Sequence, residues 1–148
     1  MKSLLGKVGV ILIGLLIFVI GCQKTVLRNE STMEADWKLY SSNEYYYGYY
    51  DAQNIICPCE NVVIVWTKSN FTKRGVLNRV GDFGKKYENL SYTKVLMEIN
   101  CAEKKLRRLS ESSYDNEGNV IYSLSSLSEW DFIIPESPGE ILYKEVCK

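Results

Sequence analysis

The feature that most constrains this chain is the apolar run at residues 8–20, set behind a basic start (Lys2, Lys7) and closed by Gly21-Cys22. A membrane-spanning helix needs about 20 apolar residues at 1.5 Å rise each, and the uncharged stretch here, residues 8–23, holds sixteen. It is short for a span. An ordinary secretory cleavage site wants small residues in an A-x-A-like pattern, whereas Val19-Ile20-Gly21 sets bulky side chains upstream of the cysteine. The run is read as a leader, residues 1–21, that takes no part in the folded body. Removing it from 148 residues leaves 127, a length that suits one domain.

Val19-Ile20-Gly21-Cys22 resembles the lipobox of a bacterial lipoprotein. The resemblance implies cleavage before Cys22, a diacylglycerol on its thiol and an acyl group on the new amino terminus. Each buried CH₂ contributes about 0.8 kcal/mol, so one acyl chain binds a membrane reversibly while two or three hold it. Gln23 stands where an aspartate commonly signals inner-membrane retention, which points to the outer membrane. Residues 22–34 are polar without periodicity and read as a lipidated tether, leaving 35–148 as the globular domain.

Without Lys2 and Lys7 the 18 basic side chains become 16 against 18 acidic ones, a formal charge of −2. Phosphate binding needs a clustered surplus of Lys and Arg, so no nucleic-acid partner is expected. The cluster Lys104-Lys105-Leu106-Arg107-Arg108 is flanked by Glu103 and Glu111 and reads as a solvated strand face. The chain has no histidine, which excludes Ser-His-Asp and Cys-His catalysis and imidazole-ligated zinc or haem. No phosphate-cradling glycine motif replaces them. Asp82-Phe83-Gly84 matches a kinase metal-binding tripeptide, but the companion motifs are missing. The expectation is a non-enzymatic protein with no cofactor.

A strand is expected at residues 36–40, a turn at Ser41-Ser42-Asn43, and a second strand at 45–50, where five of six residues are tyrosine. Strand alternation would set Tyr45, Tyr47 and Tyr49 on one face, as packing or as a ligand surface, and Tyr46 and Tyr50 on the other. Residues 61–67 are rich in β-branched side chains with apolar residues on both faces, the pattern of a central strand covered on both sides. Gly75, Gly81 and Gly84 interrupt 71–89, which reads as a loop with one short helix at most. From Tyr92 the pattern alternates, with Val95, Met97, Ile99 and Cys101 on one face and Lys94, Glu98 and Asn100 on the other, marking a half-buried antiparallel strand. Residues 104–114 and 120–124 form a hairpin around a turn in which Gly118 supplies positive φ. Ser137-Pro138-Gly139-Glu140 is a capping box opening a last helix whose apolar side holds Ile141, Leu142 and Val146.

With Cys22 carrying lipid, four cysteines remain: Cys57, Cys59, Cys101 and Cys147. Beyond the inner membrane thiols tend to oxidise, and four cysteines allow three pairings among which the sequence does not choose. Joining Cys101 to Cys147 would close a long loop and tie the last segment to the sheet. Cys57-Pro58-Cys59 would then pair with itself, stay reduced, or clasp a soft ion such as Cu(I).

Trp37, Tyr49-Tyr50-Asp51 with Ile55, the stretch 63–68, Glu98-Ile99-Asn100-Cys101, Tyr114-Asp115 with Gly118, Trp130, and Pro135 leading to Val146-Cys147-Lys148 together resemble the surface-adhesin protein E family of bacterial lipoproteins. The likeness covers residues 37–148. It implies an α+β fold, a single antiparallel sheet of about six strands packed with a C-terminal helix, and a disulfide like Cys101 to Cys147. It further implies an outer-membrane address, engagement of extracellular proteins, and a capacity to form homodimers. Cys57-Pro58-Cys59 and the glycine-bearing stretch 71–89 depart from the family pattern. The main expectation is a lipid-anchored binding module with a protein partner. The alternative is a periplasm-facing metal or redox lipoprotein using Cys57 and Cys59.

Overall fold

The computed structural model describes residues 34–148; the leader, Cys22 and the tether up to residue 33 lie outside the described residues. The elements are β1 (Trp37–Ser42), β2 (Tyr46–Asp51), β3 (Ile56–Cys59), β4 (Val62–Phe71), α1 (Lys73–Phe83), a 3₁₀ turn (Lys85–Tyr87), β5 (Leu90–Asn100), β6 (Lys105–Asp115), β7 (Val120–Leu124), β8 (Asp131–Phe132) and α2 (Pro138–Val146). They build one antiparallel sheet in the order β1-β2-β4-β5-β6-β7. Short β3 pairs with the start of β4, beyond the reach of β2, and β8 does the same for the start of β6 beside β7. The class is α+β, as the alternating strands and the capped last helix lead one to expect.

Register places Val63, Val65 and Thr67 of β4 beside Ile99, Met97 and Val95 of β5, with Tyr50 of β2 next to Thr67. This face carries the core: Val65 and Ile99 are 0% exposed, and Leu142 of α2, at 2%, closes over them. Ser137 starts α2 by accepting from the Glu140 N–H. The return bond of the capping box is displaced by one residue, because the Glu140 carboxylate accepts from the Glu136 N–H while the Ser137 N–H donates to the Ile134 carbonyl. The Glu136 N–H, followed by the Lys144 ammonium, holds the Glu140 carboxyl below its ordinary range. A disulfide from Cys147 at the end of α2 to Cys101 after β5, with Cα atoms 5.7 Å apart, fixes the helix to the sheet. The Tyr143 hydroxyl donates to the Cys101 carbonyl at the same junction.

Three expectations from the sequence are corrected. The stretch 71–89 holds one helix, α1, of 11 residues, longer than expected, which runs through Gly75 and Gly81 and ends at Gly84, where φ is +91°. Thr72 caps the helix by accepting from the Gly75 N–H, and a Cβ on Gly75 would lie 2.0 Å from the Tyr45 carbonyl oxygen. Gly75 is therefore what lets α1 approach the β1–β2 turn, while Gly81 faces open space. The expected turn at Ser41-Ser42-Asn43 falls later, since β1 continues through Ser42 past a bulge at Tyr40, and the Asn43 side chain accepts from the Tyr45 and Tyr46 N–H groups. Finally, β4 is central but covered on one face only, with Val65 sealed and Trp66 37% exposed.

Buried phenols make the fold sensitive to alkali. Burial, reinforced by Tyr46, raises the Tyr40 hydroxyl to about 12, and burial also raises Tyr50 and Tyr87. A raised folded-state value favours the protonated form, so this stabilisation is complete below the unfolded tyrosine value of about 10 and is lost as pH rises through about 12. Urea midpoints should fall steeply between those two pH values, and Tyr40→Phe should flatten the fall. An unchanged slope in Tyr40→Phe would remove Tyr40 from the explanation.

Candidate binding surface

The face of the sheet opposite α2 is left open among the described residues. Strand register brings Leu39, Tyr49, Lys68, Lys94 and Ser112 into one row across it, and Trp66, Leu96 and Ser110 into the next. At its centre Lys68 and Lys94 are directly opposed on neighbouring strands. Like charges in that position destabilise a sheet, and neither lysine has a carboxylate within salt-bridge distance among the described residues. Aromatic rings hold them instead. The Lys68 ammonium lies 4.7 Å from the Tyr92 ring centre and 5.9 Å from that of Trp37. The Lys94 ammonium lies 5.9 Å from both Tyr92 and Tyr114, whose rings stack at 4.7 Å. Burial and then the neighbouring Lys94 lower the Lys68 ammonium from its ordinary value. Exposed cation–π contacts contribute only about 0.5–1 kcal/mol each, so the two charges retain an unspent demand for anions.

Further along the same face the charges are satisfied. Glu98 accepts from the Arg107 Nε at 2.5 Å, and that guanidinium lies 4.4 Å from the Trp130 ring centre. Lys105 pairs with Glu103, and on the opposite face of the sheet, level with Met97 and Val95, Arg108 pairs with Glu111, so most of the basic cluster at 104–108 is neutralised within the domain. Among the described strand residues of this face, the cations left without a carboxylate are Lys68 and Lys94.

The tyrosines expected on one face divide between two places. Tyr47, 48% exposed, and Tyr49 lie on the open face. Tyr45 precedes β2, in the turn beneath α1, where Arg74 lies over its ring and pairs with Glu44. The linear pattern does not mark Trp37, Trp66, Lys68 or Tyr92 as residues of a binding surface. The available signals were alternation itself, Trp66-x-Lys68 on β4 and Tyr92-x-Lys94 on β5, which mark a shared face only once β4 and β5 are known to be partners.

Cys57 and Cys59 lie in exposed β3 and are unpaired. Strand spacing sets their Cα atoms about 6.6 Å apart, at the wide end of what a disulfide spans. No group of three or more His, Cys, Asp or Glu side chains placed to hold a metal occurs among the described residues.

A sheet clamped on one side by a disulfide-tied helix and open on the other, with aromatic rings around unpaired cations, defines a domain of the α+β class. A family model described as surface-adhesin protein E matches residues 37–148, from the first residue of β1 to the last of the chain, and the chain belongs to that family. No curated protein and no solved structure matches it. No described helix is long and apolar enough to cross a membrane.

Proposed function

We propose that this protein is a lipid-anchored, non-enzymatic adhesion module of the outer membrane that presents its open sheet face to an acidic segment of a protein partner. The observation that carries this reading is the Lys68–Lys94 pair, two opposed cations without carboxylates in a ring of tryptophan and tyrosine. A partner supplying Asp or Glu among apolar residues would relieve the repulsion and cover the rings, since complementary charge gives register and on-rate while buried aromatics give affinity. Membership of a surface-adhesin family supports the address. Cys22 would hold the domain to the bilayer, and the polar residues after it would let the sheet stand clear of the membrane.

Intact cells bearing the protein, labelled with a membrane-impermeant amine reagent, test the address. Labelling of the lysines is expected, as is saturable binding of those cells to immobilised extracellular matrix proteins. Protection until the envelope is broken would contradict a surface adhesin. A second reading, soft-metal or redox work, rests on the two exposed thiols of β3. A Cu(I) adduct seen by native mass spectrometry and lost on Cys57→Ser with Cys59→Ser would favour it.

A further inference from the structure

Away from the open face, on the side of the sheet that carries the core, α1, the 3₁₀ turn and β5–β7 enclose a depression of about 310 Å³. Thr93 and Ser113 lie in its lining, their hydroxyls joined by a buried hydrogen bond of 2.8 Å. Tyr87, Leu90 and Tyr122 supply apolar walls, and three cations, Arg79, Lys86 and Arg108, stand against one carboxylate, Glu111. That excess of two positive charges is not neutralised elsewhere. Among the described residues Arg79 and Lys86 pair with no carboxylate; Arg79 stacks between Phe71 and Phe83, and Lys86 lies over Tyr87 and Tyr122. Arg108 donates through Nη1 to Glu111 at 2.6 Å, but its Nε is buried without an acceptor. A buried donor left unmatched costs free energy, and an arginine fork with spare donors suits a planar or tetrahedral oxyanion.

We propose that this depression binds a small molecule carrying one carboxylate or phosphate beside a compact ring. The volume is at the lower end of ligand sites, too small for a folded segment and adequate for a single acidic sugar. Lys86 and Arg79 meet the charge, Tyr87 and Tyr122 face the ring, and spare capacity on Arg108 secures the oxyanion. The site is on the other side of the sheet from Lys68 and Lys94, so it stands or falls independently of the adhesion reading.

Ligand-observed NMR on the mature lipoprotein in detergent, titrated with glucuronate, glucose 6-phosphate and neutral glucose, tests this. Saturable binding of at least one anionic sugar is expected, with none for glucose and competition by inorganic phosphate. Lys86→Ala, at an exposed position that leaves the core intact, should weaken it roughly tenfold, and Lys68→Ala should leave it unchanged. No saturable binding of either anion, equal binding of glucose, or indifference to Lys86→Ala would overturn the proposal.

Discussion

Replacing Cys101 and Cys147 together by serine should lower the unfolding free energy by about 4 kcal/mol, the value the chain-entropy model gives for a link across 46 residues. The effect is large because of what the link holds. Helix α2 has nine residues, too few for a stable helix in isolation, yet its Leu142, Tyr143 and Val146 complete the core over Val63, Val65 and Ile99. Without the tether, the unfolded chain regains its loop entropy and the helix frays from the sheet. Urea denaturation should report the loss, with a Tm lowered by roughly 15 °C for a domain of this size. Wild-type protein melted in reductant should behave like the double variant. A change below about 1 kcal/mol would mean that packing alone holds α2 in place.

Ile99→Ala should cost about 3–4 kcal/mol, within the range for deleting a fully buried branched side chain that leaves a cavity. Ile99 is 0% exposed, lies between Val63 and Leu106 across the strands, and sits two residues before the bridged Cys101. The two sites therefore share α2 as a common lid. Their costs should be less than additive, because a helix already loosened by loss of the disulfide collapses more readily into the space left by Ile99. Leu39→Ala, on the open face, should stay within about 0.5 kcal/mol of wild type. That contrast tests which face is the core, and a costly Leu39→Ala would show the faces to be misassigned.

Much of the fold is legible in the sequence where local chemistry and tertiary role coincide. The β6–β7 turn needs positive φ and has Gly118 at +88°, and the helix after Ser137 carries its own start signal. Legibility fails where a residue's role is set by a distant partner. Gly75 looks like a helix breaker until the Tyr45 carbonyl is seen beside its Cα, so α1 is hidden in the linear pattern. In β4, apolar residues on both faces suggest burial on both sides, yet α2 covers only the Val63–Val65 face and leaves Trp66 in view. Tyr45 looks equivalent to Tyr47 and Tyr49, but the β1–β2 turn ends after it and sends it to α1 instead. The Lys68–Lys94 pair is invisible before strand pairing is known, because its members stand 26 positions apart and only register makes them neighbours.

The measurement that bears most directly on the open face as the working surface is adhesion of cells displaying Lys68→Glu with Lys94→Glu, compared with cells displaying Lys73→Glu with Lys85→Glu. Both pairs change the net charge equally, but Lys73 and Lys85 sit exposed on α1 and the 3₁₀ turn, away from the open face. Binding to immobilised matrix protein should fall at least tenfold for the first variant and stay close to wild type for the second. Equal losses in both, or full binding by the first, would contradict the account.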